Sequence, residues 1–236
     1  MIEHYIAAAS SSAGSIDFLI ELIFWVVIVF WFVVTEAVFI GLILRFRKKD
    51  GVPAQYITGE LKSEKRWITI PHAFVLLCDV VIVFFAVRVW YDVKQNMPEP
   101  QQTVRIVAQQ WAWSFVQPGP DGRLDTDDDI KTVDELHVQL DTVYHFKLVS
   151  RDVLHSFSVP AFRLKQDAIP GRVITGWFKP TKTGAFDIQC VEICGVGHGL
   201  MPARIFIETP EQHAAWMAGH STQSIALAST TPLARE

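Results

Sequence analysis

The stretch V-Y-H-F-K-L-V-S-R-D-V-L-H-S-F-S-V-P, residues 143–160, contains two short runs in which apolar and polar residues alternate, with a polar turn between them. Alternation with a period of two is typical of β-strands that have one buried and one exposed face. Similar runs recur between residues 103 and 208, separated by turn signals. Many short strands in succession predict an all-β domain, a β-sandwich with Greek-key connections.

The alternation also predicts where the histidines of these strands point. His155 has the same parity as Phe157 and Val159, so we expect it to face the interior of the sandwich or its sheltered rim. His137 and His145 share a face with polar residues and are predicted to point to water. A buried histidine is by itself more often a core residue than a ligand, but a sulfur-rich loop nearby favours ligation.

That loop is C-V-E-I-C-G-V-G-H-G-L-M, residues 190–201, which carries Cys190, Cys194, His198 and Met201. Thiolate, thioether and imidazole together are the ligands that select copper. The cysteine pair can supply two bridging thiolates, which indicates two coppers that share electrons, whereas a single-copper carrier uses one cysteine. A zinc site or a disulfide is chemically possible, but neither accounts for Met201.

Two long apolar runs, residues 22–44 and 68–90, each have about the 20 residues that cross a bilayer core. The connection between them is rich in Lys and Arg, whereas residues 1–20 contain neither. The positive-inside rule therefore predicts a transmembrane hairpin with both chain termini outside the cytoplasm. A cleaved signal peptide is the alternative for the first run, but that run is too long and no basic segment precedes it, so we expect the helix to be retained. Glu36 lies within the first span, where an acid is expected to face protein or water.

The rest of the chain divides by composition. A Pro-broken linker precedes the β domain, which closes with a helix, residues 210–218, that has Thr209 as N-cap. The predicted parts are, in order, the N-terminal segment and hairpin (1–95), the linker (96–102), the domain (103–220) and a disordered tail (221–236).

Residues 118–141 include eight acidic residues against Arg123 and Lys131. Three interpretations are open for this stretch: a solvated loop, a docking face for a basic partner, or a calcium site. The D-T-D-D-D run offers the hard oxygen ligands that calcium prefers, but the fixed glycine and the terminal glutamate of an EF-hand loop are missing.

The hairpin, the run S-R-D-V-L-H-S-F-S-V-P-A-F-R-L-K-Q-D-A-I-P-G-R and the sulfur-rich loop together resemble subunit II of haem-copper cytochrome c oxidases. The resemblance extends from the first helix to about residue 218, and the pattern C-x-E-x-C-x3-H-x2-M is highly specific. It implies a cupredoxin domain that holds the binuclear copper centre CuA. In the ligand set that it implies, the thiolates of Cys190 and Cys194 bridge the metals. His155 and His198 supply imidazoles, Met201 a weak thioether and Glu192 its backbone carbonyl.

The resemblance implies further roles for three residues. The side chain of Glu192 would also reach a magnesium ion at the boundary with the catalytic subunit. Trp111 matches the exposed aromatic through which electrons enter, although Ala112 stands where the family commonly has another aromatic, while Trp113 is predicted to lie in the core. Glu64, just before the second span, matches the mouth of a proton-uptake path, although a charge at a helix entrance is most often simply solvated.

The expected function is electron entry into a terminal respiratory oxidase. The expected partners are the membrane, the haem-copper subunit I with other oxidase subunits, and a c-type cytochrome as donor, with no nucleic acid; the copper domain lies on the periplasmic side. No C-x-x-C-H haem motif follows the domain, so the donor is expected to be a separate protein. Alternatives are the CuA subunit of a nitric oxide reductase, a membrane-anchored copper carrier, and a structural subunit without copper.

Overall fold

The computed structural model describes residues 8–10, 12–53 and 56–230, with side chains described up to residue 221. Its contacts divide the chain into two units. One unit, residues 17–91, contains two long helices. The other joins the described residues before residue 17 to those from residue 92 to residue 230 and contains a β-sandwich.

The two long helices are Ala13–Phe46 and Lys62–Gln95. Each contains one of the predicted spans, and polar residues at the ends extend the helices beyond the apolar runs. A π-helical segment, Ile23–Val29, interrupts the first helix. The helices contact each other through the indole N–H of Trp31, which donates to the Cys78 Sγ at 3.4 Å, so Cys78 packs inside the hairpin.

Within the described residues, the sandwich has ten strands, in two five-stranded sheets of order β3-β2-β1-β5-β8 and β4-β10-β9-β6-β7. In chain order, β1 to β10 are Gln102–Gln109, Ala112–Gln117, Ile130–Val133, Glu135–Gln139, Tyr144–Ser150, His155–Val159, Leu164–Ala168, Ile174–Phe178, Gly184–Cys190 and Ala203–Glu208. β1 pairs with β5 in parallel, and β4 with β10, while the other pairs are antiparallel. These non-sequential neighbours confirm the predicted sandwich.

Inward-facing side chains of both sheets form the core. β2 alternates between half-buried and buried residues, so Trp113 and Phe115 are fully buried. They meet Phe157 of the opposite sheet, with ring centroids 5.4 and 6.5 Å from its ring. β6 differs because all five of its residues are buried, which places His155 in the interior as predicted. Two strands were missed, β3 and β7, because both are short and rich in polar residues.

Residues before the first long helix belong to the domain. The Ala9 N–H donates to the Ala161 carbonyl at 2.8 Å, and the Ala9 carbonyl accepts from the Thr181 N–H at 3.0 Å. Ala9 is fully buried in the domain core. This contact requires the segment before the first helix and the domain to lie on the same side of a membrane, as the charge distribution predicts.

The last helix is longer than predicted: it extends over Pro210–Thr230, whereas the sequence predicted an end at Ala218. Its start is as expected: the Thr209 Oγ1 accepts from the Gln212 N–H at 3.3 Å, and the Gln212 Oε1 accepts from the Thr209 N–H at 3.0 Å. No proline occurs after Pro210 until Pro232, so the alanine-rich segment continues the helix. The tail predicted to be disordered was residues 221–236; residues 221–230 continue the helix, and residues 231–236 lie outside the described residues.

The prediction that His137 points to water is wrong. Its side chain is buried, with an exposed fraction of 8%, because the last helix covers this face of β4. The ring stacks between Phe206 and Trp216, at centroid distances of 4.7 and 4.3 Å. His145 does lie on the outer face of β5, but it is half-buried, since the linker passes close enough for the Pro98 carbonyl to lie 2.7 Å from its Nε2.

Candidate metal centre

The loop between β9 and β10 and the first residue of β6 form one site. β9 ends at Cys190, and the loop then places Cys194, His198 and Met201 in turn before β10 begins. Because β9 and β6 are hydrogen-bonded neighbours, His155 lies beside this loop. The pairing of β6 with β9 thus brings together predicted copper ligands that are far apart in the chain, such as His155 and Cys190, which are separated by 35 residues.

The distances are those of a compact cluster around the two sulfur atoms. The Sγ atoms of Cys190 and Cys194 lie 3.9 Å apart. The Nδ1 of His155 lies 3.9 Å from the Cys190 Sγ, and the Nδ1 of His198 lies 3.6 Å from the Cys194 Sγ. The Sδ of Met201 is 3.5 Å from the Cys194 Sγ. Each of the two cysteine sulfur atoms therefore has one imidazole beside it.

Glu192 contributes its backbone to the same cluster. Its carbonyl oxygen lies 3.3 Å from the Cys190 Sγ, while its side chain is half-exposed. Among the described residues, His155, Cys190 and Cys194 are the one set of three metal-binding side chains whose ligand atoms all lie within 4.8 Å of one another.

A carboxylate fixes the orientation of His155. The Nε2–H of His155 donates to the Asp152 Oδ1 at 2.9 Å, which leaves the Nδ1 lone pair directed at the sulfur atoms. The other carboxylate oxygen of Asp152 accepts from the backbone N–H of Gln110 at 2.6 Å. Partial burial disfavours the charge, but these hydrogen bonds outweigh it and lower the pKa of Asp152. Sequence reasoning missed Asp152, although it lies only three residues before the histidine.

Trp113 is a second residue that packs against the cluster. It is fully buried, as predicted, and its indole N–H donates to the Met201 carbonyl at 3.2 Å. Its ring meets the His155 ring edge-on at a centroid distance of 6.1 Å. Trp113 therefore contacts one candidate ligand from β6, His155, and one from the loop, Met201.

Trp111 covers the ligand loop from the outside. Its side chain is 37% exposed, and its indole packs against Gly197, where an added Cβ would lie 2.4 Å from the Trp111 Cδ2. Gly195, with φ of +125°, also touches this ring. The neighbouring Gln110 donates from its Nε2 to the Cys194 carbonyl at 2.7 Å. The predicted exposed aromatic thus lies in direct contact with the ligand loop.

The electrostatics of the cluster favour cations. Burial, and then the nearby Cys190 sulfur, raise the pKa of Cys194 to about 11. Deprotonation of both thiols is therefore unfavourable here unless a positive charge compensates the two negative sulfur atoms. Two soft sulfur atoms, two imidazoles and a thioether are ligands that suit copper. The residues present therefore fit the centre that the resemblance implies.

The chemical alternatives fit less well. Both cysteines are free thiols, and their 3.9 Å separation is far from the roughly 2.05 Å of a disulfide. A structural zinc ion would take four ligands, two cysteines and two histidines, and would leave the thioether of Met201 without a role although it lies 3.5 Å from the Cys194 Sγ.

Glu64 lies elsewhere, at the start of the second long helix. Its Oε2 accepts from the backbone N–H groups of Gly59 at 2.9 Å and Leu61 at 3.3 Å, and from the Thr58 hydroxyl at 3.3 Å. The side chain is half-buried and caps the helix. A structural role therefore accompanies any role in proton uptake.

Comparison with known proteins places the chain in a family. The family model for the periplasmic domain of cytochrome c oxidase subunit II matches residues 102–209. The alternative cytochrome c oxidase subunit 2 of Bradyrhizobium diazoefficiens is 32% identical over 238 residues, which cover 89% of this chain and 81% of that protein. The chain belongs to the cytochrome c oxidase subunit II family.

Two further relatives extend this comparison. The cytochrome c oxidase subunit 2 of Cereibacter sphaeroides is 30% identical, over 78% of this chain and 69% of its own length. The crystal structure of the periplasmic domain of subunit II of cytochrome oxidase from Bradyrhizobium japonicum is 30% identical and covers 54% of this chain and 98% of that one, with a TM-score of 0.49.

Membership in the subunit II family confirms several predictions from the sequence. The chain is a membrane-anchored part of an oxidoreductase complex, in which other oxidase subunits accompany it. Its β domain, the part that matches the periplasmic domain of the family, lies on the non-cytoplasmic side. The two helices long and apolar enough to cross a membrane agree with this arrangement.

Proposed function

We propose that this subunit II accepts single electrons from a c-type cytochrome at a binuclear copper centre, CuA, and passes them to the haem-copper subunit that reduces oxygen to water. The observation that carries the proposal is the symmetry of the cluster. Two thiols lie 3.9 Å apart, and each has its own imidazole, at 3.9 Å for His155 and 3.6 Å for His198.

The ligand roles follow from this arrangement. Cys190 and Cys194 would bridge both metals, His155 and His198 would each bind one, and Met201 would be a weak ligand on the Cys194 side. When bound, the copper pair supplies a carrier that takes up one electron and shares it over two metals. Glu192 would bind through its carbonyl, and its half-exposed carboxylate would reach a magnesium ion shared with the catalytic subunit.

The protein's contribution is to hold the ligands still. Electron transfer is fast when the ligands move little between the two oxidation states. Three hydrogen bonds oppose such movement: His155 to Asp152 at 2.9 Å, Trp113 to the Met201 carbonyl at 3.2 Å, and Gln110 to the Cys194 carbonyl at 2.7 Å. Outer contacts of this kind orient the ligands of metal sites.

The nature of the centre is tested by electron paramagnetic resonance on the detergent-solubilised full chain loaded with copper. We expect two copper ions per chain and a seven-line hyperfine pattern from one electron shared by two coppers. A four-line pattern of an isolated copper, or a stoichiometry of one metal per chain, would contradict the proposal.

Electron entry is assigned to Trp111, because its exposed indole rests on the ligand loop. A Trp111→Gln variant is expected to slow reduction by a c-type cytochrome by at least about ten-fold, which is about 1.4 kcal/mol in activation free energy, while the resonance spectrum stays unchanged. Stopped-flow kinetics measures the rate.

Leu200→Gln is the matched control, because Leu200 is an exposed apolar residue of the same loop region, with an exposed fraction of 82%. If both variants slow the reaction equally, this surface docks the donor but the indole is not the entry point. An unchanged rate in Trp111→Gln removes the assignment altogether.

Glu64 is assigned to the entrance of a proton-uptake path in the assembled oxidase. A Glu64→Gln variant preserves an acceptor oxygen for the Gly59 and Leu61 N–H groups, so the helix cap survives while the charge is lost. We expect slower proton-coupled turnover and no change in helix content by circular dichroism. Normal turnover in this variant would leave Glu64 with its capping role alone.

Partner identity distinguishes an oxidase from a nitric oxide reductase that uses the same electron-entry domain. The subunit II relatives favour the oxidase. Affinity purification of the complex from native membranes, followed by assays with oxygen and with nitric oxide, decides between them. Turnover of nitric oxide without oxygen consumption would overturn the proposal.

A further inference from the structure

The acidic connection between β2 and β3, residues 118–129, lies outside the copper centre and has no role in it. It reads P-G-P-D-G-R-L-D-T-D-D-D and contains five aspartates and one arginine. Exposed carboxylates of this kind are usually just solvated, so the acidic composition alone does not identify a cation site.

Asp129 is different because it is buried. Its exposed fraction is 9%, and its Oδ1 has no hydrogen-bond partner. Within the described part of the chain, it is the one buried side-chain oxygen or nitrogen in this condition. Its Oδ2 accepts from the Asp125 N–H at 2.9 Å, which directs the carboxylate back across the loop. An uncompensated buried carboxylate oxygen is costly, so such groups commonly have an ion or water as partner.

The nearby arginine does not fill this role. Both guanidinium NH2 groups of Arg105, on β1, contact the carboxylate of Asp125, at 2.7 and 2.8 Å. The side-chain hydrogen bond to Asp125 is the main reason why the pKa of Arg105 is raised, and Asp129 adds a smaller effect through its charge. Arg105 therefore lies close enough to feel Asp129 but gives no hydrogen bond to its Oδ1.

The loop around Asp129 is compact and oxygen-rich. A Cβ added to Gly119 would lie 2.2 Å from the Asp128 carbonyl oxygen, so the two ends of the loop touch. The Asp128 carboxylate accepts from the Thr126 hydroxyl at 2.6 Å and from the Asp121 N–H at 3.1 Å. Asp121 and Asp127 are exposed, so their carboxylates can turn toward an ion.

We propose that residues 121–129 bind one calcium ion, with the Asp129 Oδ1 as its buried ligand. Loop carbonyls, the exposed carboxylates and water would complete the coordination, since calcium accepts six to eight oxygens in flexible geometry. The loop contains neither histidine nor cysteine, which disfavours zinc and copper. Among the described residues, no three carboxylates of the loop have ligand atoms within 4.8 Å of one another, so the exposed carboxylates would turn toward the ion when it binds.

The ion would connect β1, β2 and β3. Asp129 immediately precedes β3, the loop leaves from the end of β2, and Arg105 of β1 is paired with Asp125. Bound calcium would therefore fix the edge of this sheet. Because the domain lies outside the cytoplasm, a dissociation constant of about 10⁻⁴–10⁻³ M, typical of extracellular calcium modules, is sufficient.

The test uses the detergent-solubilised full chain after divalent cations are removed on a chelating resin. Equilibrium dialysis with radioactive calcium measures stoichiometry and affinity, and the thermal midpoint is recorded with and without about 10 mM calcium chloride, above the expected dissociation constant. Magnesium chloride at the same concentration controls for ionic strength. Copper loading is followed in parallel by the resonance spectrum. It is expected to be the same whether or not the loop binds calcium, so a failure of one proposal is distinguishable from a failure of the other.

Asp129→Asn is the decisive variant, because asparagine has the same shape and keeps an acceptor for the Asp125 N–H. We expect one calcium ion per wild-type chain, at least ten-fold weaker binding in Asp129→Asn, and loss of its calcium-dependent rise in thermal midpoint. Asp187→Asn is the matched control, since Asp187 is an exposed acid of β9 that pairs with Arg204 at 3.1 Å, and it should bind as the wild type does.

Several outcomes would overturn the proposal: no saturable binding to the wild type, equal binding by Asp129→Asn, or an equal thermal shift with magnesium. If Asp129→Asn fails to fold, Asp127→Asn decides, because Asp127 is exposed and carries no packing. Weaker calcium binding in that variant supports the loop site, and unchanged binding rejects it.

Discussion

Two buried histidines in different regions of the domain show how a candidate metal ligand differs from a core residue. His155 and His137 are both almost fully buried, with exposed fractions of 0% and 8%. Both donate a ring N–H to a carboxylate, His155 to Asp152 at 2.9 Å and His137 to Glu208 at 2.7 Å. The two histidines differ in what surrounds the rest of the imidazole ring.

The second nitrogen of His155 faces the Cys190 Sγ at 3.9 Å. His137 instead has flat aromatic rings on both faces, Phe206 at 4.7 Å and Trp216 at 4.3 Å. Its carboxylate partner, Glu208, also accepts from the Nδ1–H of His213 on the last helix, at 3.0 Å. The same residue pair, histidine and carboxylate, therefore orients a candidate metal ligand in one region and holds the last helix against the sheet in the other.

The largest expected difference comes from replacing each histidine by glutamine. His155→Gln should lose the copper-pair resonance spectrum, because it removes the imidazole on the Cys190 side. His137→Gln should leave that spectrum intact and lower the free energy of unfolding by about 1–3 kcal/mol, since it loses the ring stack and a buried hydrogen bond. Resonance spectroscopy and denaturant titration measure the two effects. A changed spectrum in His137→Gln would show that the two regions are not independent.

A smaller effect is expected from the two carboxylates. Asp152→Asn should weaken copper binding by about 10–100-fold, the usual effect of losing a partner that orients a metal ligand, with the spectrum retained once copper is bound. Glu208→Gln should leave copper affinity unchanged and destabilise the domain by about 1–2 kcal/mol. Competition with a copper chelator gives the affinities. Equal copper affinity in both variants would remove the orienting role of Asp152.

The smallest effect is expected at two glycines of the copper loop. A Cβ at position 197 would meet Trp111 at 2.4 Å, whereas one at position 199 would meet nothing within 4 Å. Gly197→Ala should therefore displace Trp111, shift its fluorescence and cost about 1 kcal/mol, the low end for overpacking, because the ring lies at the surface and can rotate away. Gly199→Ala should change none of these. Identical fluorescence in the two variants would show that Trp111 does not rest on Gly197 in solution.

Much of the site was predictable because its signals are local. Cys190, Cys194, His198 and Met201 lie within one loop, and their spacing alone indicates a copper site. His155 followed from strand parity beside hydrophobic residues. The contact between Trp111 and Gly197 was not predictable, since it joins segments far apart in the chain, and no pattern within either segment indicates it.

The wrong prediction for His137 has the same origin. Parity along β4 correctly separates its two faces, but it carries no information on what covers the outer one. The last helix covers it, through Trp216. An amphipathic strand shows which face is polar, and only packing decides whether that face meets water.

The sequence by itself determined the membrane hairpin, eight of the ten described strands and the loop with the candidate copper ligands, because apolar length, alternation and ligand spacing are properties of neighbouring residues. The tertiary structure decided which carboxylate orients His155, that His137 is buried, and that the Oδ1 of Asp129 lies buried without a partner. These features arise between elements distant in the chain, where geometry and burial, rather than local pattern, set the partners of each polar group.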